Sequence, residues 1–223
     1  MASIREILSR DPDGATVVVK GWVRTKRETK GTAFLELNDG SCFRNVQCVY
    51  DALALDANSR NALERAGTGA AVAATGVLVP SPAAGQSVEL KASSLELIGE
   101  APAETYPLQK KQHSFEFLRE IAHLRPRTNT FGAVARVRNR MAFAAHSFFQ
   151  ERGFQYIHTP IITASDAEGA GEMFQVTTLD LDAIAKGGKS VDYSKDFFGK
   201  RSYLSVSGQL NVEAYCLALS KVY

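Results

Sequence analysis

Over the first hundred positions, apolar and polar residues alternate in short bursts, the period-two signature of strands. Ile4–Ser9 reads as one short helix, and Asp11-Pro12-Asp13-Gly14 as a turn. From Thr16, the residues Val17, Val19, Trp22 and Val23 predict a strand that runs into a basic stretch and is broken at Gly31. Ala33–Leu37 predicts a second strand, and Asn38-Asp39-Gly40-Ser41 a tight turn after it. Val46–Tyr50 is a third. Asp56–Ala66 has helical spacing through Ala57, Leu63 and Ala66, with Gly67 and Gly69 past its end. Two further strands, Ala70–Val79 and Ser87–Ile98, are separated by Pro80, Pro82 and Gly85. Three strands, a helix, then two strands is the order of a five-stranded OB barrel.

The pattern changes after residue 98. Gly99–Gln112, with Pro102 and Pro107, reads as a linker. Ser114–His123 predicts a short helix. From Asn129 to Arg152, Phe131, Val134, Val137, Met141, Ala145 and Phe148 recur at steps of three and four, predicting a long helix that Gly153 ends. Short strands are expected at Phe154–Ile162, Met173–Thr177 and Tyr203–Val206, with Pro160 marking an edge or bulge in the first. Asp180–Lys200 is polar, contains Gly187-Gly188 and reads as a mobile surface insertion. Gln209–Lys221 predicts a closing helix. The expected organisation is a barrel over 1–100, a hinge over 101–128 and an α+β domain over 129–223.

Composition narrows the class. The chain has 223 residues, 45% of them hydrophobic and 22% charged, with a formal net charge of +2. That is a globular balance, and so small a net charge makes its distribution the informative quantity. Lys20, Arg24, Lys26, Arg27 and Lys30 crowd one stretch; Lys110–Lys111 and Arg125–Arg140 are two more basic clusters. Cys42, Cys48 and Cys216 are odd in number and form no C-x-x-C pair, which argues against a disulfide framework and for a reducing, cytoplasmic setting. The four histidines have no metal-ligand spacing, so no metal site is expected. No apolar run is long enough to span a membrane, and the start of the chain lacks the pattern of a signal peptide.

Gly21-Trp22-Val23-Arg24-Thr25-Lys26-Arg27, with Phe34 and Gln47 after it, resembles the anticodon-binding OB domain of the class II aminoacyl-tRNA synthetases for aspartate, asparagine and lysine. By that resemblance Phe34, Gln47 and Arg27 hold the middle uridine of an anticodon. The residue types suit the task. An aromatic face stacks a splayed base, a carboxamide both donates to and accepts from a base edge, and a guanidinium forks onto phosphate. Composition alone leaves Phe34 equally readable as barrel core and Gln47 as an ordinary exposed strand residue.

The second half continues the resemblance. Gly153-Phe154-Gln155-Tyr156-Ile157-His158-Thr159-Pro160 is similar to motif 1 of that class, which implies a homodimer interface involving Gly153 and Pro160. The loop from Thr163 to Phe174 resembles the segment that closes over the amino acid, with Glu168 matching an acid that meets the substrate ammonium group. In Ser205-Val206-Ser207-Gly208-Gln209-Leu210-Asn211-Val212-Glu213, the residues Ser207 and Gln209 match ammonium-contacting positions. Aspartyl relatives carry a lysine where this chain has Val212, followed by Glu213. An acid there repels a carboxylate and accepts a hydrogen bond from a carboxamide NH₂, which favours the asparaginyl branch.

The resemblance implies a class II catalytic fold with an antiparallel sheet, and an ATP-dependent ligase joining asparagine to tRNA(Asn), with Mg²⁺ accompanying ATP. Motifs 2 and 3, which carry the nucleotide-binding arginines, do not occur up to Tyr223. The expectation is therefore that these 223 residues hold no catalytic residue, bind no cofactor and are inactive alone. Two other readings stay open: a tRNA-binding paralogue without catalysis, and an aspartyl enzyme.

Overall fold

A computed structural model describes residues 2–223 except Ala84, Glu168, Ala170, Gly171, Glu172 and Lys189. The chain divides into two compact units, Met1–Val137 and Arg138–Tyr223, the division falling inside a long helix.

In the first unit, β1 (Thr16–Thr29), β2 (Thr32–Asn38), β3 (Val46–Asp51), β4 (Ala71–Pro80) and β5 (Val88–Gly99) close a barrel in the order β1-β2-β3-β5-β4. β1 pairs antiparallel with both β2 and β4, and the one parallel pairing is β3 with β5. The period-two pattern explains the interior. Ala33, Leu35 and Leu37 of β2 and Val46, Cys48 and Tyr50 of β3 are buried, while Phe34, Glu36 and Val49 lie on the other face. Burial pushes the Cys48 thiol far above its ordinary range and leaves it an inert core residue.

A four-residue helix, α1 (Ile4–Ile7), adds Ile4 and Ile7 to this core. Ser3 and Glu6 form a capping box at its start. Helix α2 (Ala57–Arg65) sits between β3 and β4 in sequence, capped by Asp56, and buries Ala62 and Leu63. Its buried Ser59 accepts from the Leu95 backbone N–H at 3.1 Å, tying the helix to β5. β4 and β5 shift register between Thr75 and Gly76, and a side chain at Gly76 would collide with the Lys91 carbonyl. Glycine lets the two strands meet at that bulge.

β1 extends six residues past Val23, through the basic stretch, to Thr29. A register shift between Val23 and Thr25 resets its facing, so that Arg27 pairs with Phe34. After the barrel come α3 (Phe115–Glu120), a single 3-10 turn at Arg125–Arg127 and the first part of α4 (Asn129–Glu151).

The second unit holds the rest of α4 and a three-stranded antiparallel sheet in the order β6-β8-β7: β6 (Ile162–Thr163), β7 (Gln175–Val176), β8 (Ser202–Leu204). It also contains α5 (Leu181–Lys186) and α6 (Gln209–Leu219). Two expectations need correction. Phe154–Ile162 is not one regular strand: Ile162 alone joins β6, and the stretch before it makes one parallel bridge, Gln155 to Val222, with flanking bonds from Gln155 to Lys221 and from Ile157 to Tyr223. Pro160 has no N–H to extend that ladder. Nor is Asp180–Lys200 structureless. Asp180 caps α5, and the buried Asp196 accepts from the Thr178 backbone N–H and hydroxyl at 2.9 Å each. The Thr177 hydroxyl, with the Thr178 and Phe197 backbone N–H groups, holds the Asp196 carboxyl down at about 2. Among the described residues no helix is long and apolar enough to cross a membrane.

Candidate functional sites

On the outer face of the barrel, strand alternation and register bring Arg27, Phe34 and Gln47 together. Arg27 and Phe34 are direct cross-strand partners, and Glu36 beside Phe34 faces Gln47. Phe34 is half-buried and turned away from the core, so the barrel-core alternative for its ring does not describe it. The Arg27 guanidinium lies over the ring, 4.8 Å from its centroid, and donates to Gln47 Oε1 at 3.2 Å. Gln47 is 7% exposed, well covered for an outward strand residue, because its amide is engaged at both ends. Nε2 donates to Glu89 Oε2 at 3.1 Å.

Glu89 belongs to the site and was missed in the sequence. Its Oε2 also accepts from the Ser81 hydroxyl at 3.1 Å and from Gln86 Nε2 at 3.4 Å. Gln86 in turn donates to Ser81 Oγ at 2.7 Å. The turn between β4 and β5 thereby fixes the carboxylate that fixes the Gln47 amide. A signal was available: Glu89 is a lone acid between the inward-facing Val88 and Leu90, and period two sends it outward.

In the second unit, β8 leads through Ser205–Gly208 into α6. The Ser205 N–H donates to the Ile161 carbonyl at 2.7 Å, and the Ser205 hydroxyl donates to the Ser207 carbonyl at 2.5 Å. Ser207 Oγ accepts from the Gln209 backbone N–H at 3.1 Å, which anchors the first turn of the helix. Gly208 is required there, since a Cβ would come 2.6 Å from Thr159 Oγ1. One turn along, Gln209 Nε2 donates to Glu213 Oε1 at 3.2 Å. Both side chains are exposed, and Val212 between them is half-buried. The helix start thus presents Ser207, the Gln209 amide and the Glu213 carboxylate as one connected polar group. Glu168 lies outside the described residues.

Gly153 takes a positive φ of 77° and ends α4, and Pro160 follows in the extended segment. Met141, Phe143 and Phe148 of α4 are at least half exposed. Among the described residues no group of three or more His, Cys, Asp and Glu side chains could hold a metal ion.

Comparison with known proteins bears on both units. Residues 17–98 match the OB-fold nucleic acid binding domain family, and residues 114–223 match the class II tRNA synthetases (D, K and N). Over 99% of its length the chain is 58% identical to an asparagine–tRNA ligase of Treponema denticola, of which it covers 49%. It is 60% identical to that of Syntrophobacter fumaroxidans, with 94% of this chain and 45% of the relative aligned. The chain therefore spans about half the length of the curated relatives it matches. A crystal structure of asparaginyl-tRNA synthetase from Pyrococcus horikoshii, complexed with asparaginyl-adenylate, superposes with a TM-score of 0.80 at 24% identity. The superposition covers 99% of this chain and 46% of that one, a likeness of fold.

Proposed function

This chain belongs to the class II tRNA synthetases of the D, K and N group, and we propose on that premise that it serves the attachment of asparagine to tRNA(Asn). The barrel face takes the anticodon. A base stacking on Phe34 must displace the Arg27 guanidinium that now covers the ring. That displacement frees Gln47 Oε1 to accept from a uridine N3–H, while Glu89 keeps the Gln47 amide oriented. The released Arg27 is then available to the adjoining phosphate.

The start of α6 takes the amino acid. Ser207 and Gln209 face the ammonium group; with Nε2 held by Glu213, Gln209 offers its Oε1 as an acceptor. Glu168 completes that acceptor set in this reading. Glu213 receives the side-chain NH₂ of asparagine and repels the carboxylate of aspartate. ATP with Mg²⁺ supplies the adenylate chemistry when bound to the complete enzyme. The exposed apolar residues of α4, with Gly153 and Pro160, form the homodimer face, and the cytoplasm is the setting. Residues 1–100, 101–128 and 129–223 act as anticodon domain, hinge and start of the catalytic domain.

One observation carries the choice of asparagine: Glu213 already seats a carboxamide NH₂, that of Gln209, at 3.2 Å. The test is amino-acid-dependent exchange of pyrophosphate into ATP by the full-length protein and its Glu213→Gln variant. Loss of the protein's preference for asparagine over aspartate is expected. Unchanged discrimination would remove Glu213 from the reading.

A further inference from the structure

The first unit contains a cleft of about 880 Å³ that neither Phe34 nor Gln47 lines. That volume falls in the range of small-ligand sites, roughly 300–1,000 Å³. Three segments build it: β1 and the turn after β2, the stretch around residues 106–115, and the chain from Pro126 into α4. Its walls carry Arg24, Lys110, Lys111, Arg127 and Arg136 against a single acid, Glu36. These cations converge on one hollow, unlike the row strung along the far end of β1.

Several of them are held in place without a counter-charge. The Arg127 guanidinium lies over the Trp22 ring at 4.4 Å, and that of Arg136 over Phe43 at 4.3 Å. Arg136 donates to the Gly40 and Gly132 carbonyls at 2.6 and 3.1 Å, and Arg24 to the Arg127 carbonyl at 2.8 Å. Among the described residues none of the five cations forms an ion pair. Glu36 is engaged instead by the Asn45 amide at 3.2 Å. Like charges gathered in a concave site repel one another and raise the local concentration of anions. The Arg127 guanidinium, held on the Trp22 face, has its N–H edges available to fork onto phosphate oxygens, while Arg136 is fixed by its two carbonyl bonds and contributes charge.

We propose that this cleft binds a small polyphosphate, either free or carried on a nucleoside. In this arrangement Arg127 and Arg24 grip one phosphate group, and Lys110 and Lys111 close over the next as mobile point charges. Neither Arg27, Phe34, Gln47 and Glu89 nor Ser207, Gln209 and Glu213 line the cleft, and the proposal does not depend on either assignment.

Trp22 is the only tryptophan of the chain, and Arg127 covers it, so its emission reports the cleft directly. The experiment titrates the 223-residue protein with pyrophosphate and with tripolyphosphate at fixed ionic strength, and separately with a short RNA duplex. A saturable change in emission with the polyphosphates is expected. The double variant Lys110→Gln/Lys111→Gln, whose side chains are exposed and unbonded, should weaken it by about tenfold or more, as loss of charged phosphate contacts predicts. Lys186→Gln, on α5, should leave it unchanged. No saturable change, equal affinity in the double variant, or a response to the duplex with none to the polyphosphates would each overturn the proposal.

Discussion

In the barrel, Ile4, Leu35, Leu37, Val46, Val72 and Leu90 are fully enclosed. Among the described residues from 138 to 223, the buried ones are Asp196 and Ser202, and both are polar. Apolar residues are not lacking there. Met141, Phe143, Ile161, Phe174, Phe197 and Leu217 are all at least 66% exposed, a proportion that among the described large apolar residues of the barrel unit only Leu53 reaches. The difference is one of closure. Five strands that meet edge to edge enclose their inward side chains without outside help. Three strands of two or three residues have too little area to cover their apolar neighbours, and large exposed apolar surface marks a face that another surface covers.

The largest effect that tests this contrast is on stability. Leu35→Ala empties part of the barrel core and should cost roughly 2–5 kcal/mol, the usual range for a buried leucine. Leu217→Ala, at a position 92% exposed, should stay within about 0.5 kcal/mol. Denaturant unfolding followed by circular dichroism at 222 nm measures both. A Leu217→Ala cost comparable to that of Leu35→Ala in the monomeric 223-residue protein would mean that these residues cover α6 themselves, and the contrast would fail.

A smaller effect separates the outside of the barrel from its inside. Phe34→Ala removes an outward ring and should leave the fold intact. Binding of a short single-stranded RNA with a central uridine should weaken by roughly 1–3 kcal/mol, the range for one stacked base. Fluorescence anisotropy of labelled RNA gives the change. Unaltered affinity in a folded variant would strip the barrel face of its assignment.

How far each region could be read in advance follows the same division. The barrel was legible because period two, the Asn38–Ser41 turn and the Asp56-capped helix are local signals, and the topology follows from their order. The run of β1 through the basic stretch to a break at Gly31 was legible too, and the strand ends at Thr29; the register shift between Val23 and Thr25 was not, because no local residue marks it. The Ser81–Gln86–Glu89–Gln47 chain was hidden for another reason: it joins β3 to β5, neighbours in the barrel but far apart in sequence, through the turn before β5. In the second unit the long helix and α6 were visible from their spacing. The segment 154–162 misled, since its apolar β-formers suggested a regular strand where one bridge to Val222 is made. Asp180–Lys200 misled through its polarity, because its order comes from capping and from Asp196 rather than from apolar periodicity.

The smallest effect tests whether order in the second unit rests on polar anchors. The Asp196 carboxyl has a folded value of about 2 against an ordinary 3.8, the Thr177 hydroxyl and the Thr178 N–H being the leading causes. The sign follows from linkage. A group whose folded value is depressed adds stability above its unfolded value, and that contribution is lost as pH falls through the folded one. Protection of the Thr178 and Phe197 backbone N–H groups, both of which donate to Asp196 Oδ1, should therefore be full above about pH 4 and fade towards pH 2. Asp196→Asn removes the ionisation and should flatten that profile while the barrel amides stay as protected as before. Amide hydrogen exchange, read residue by residue, distinguishes the outcomes. Acid-sensitive protection at Thr178 that survives Asp196→Asn would place the anchor of this unit elsewhere.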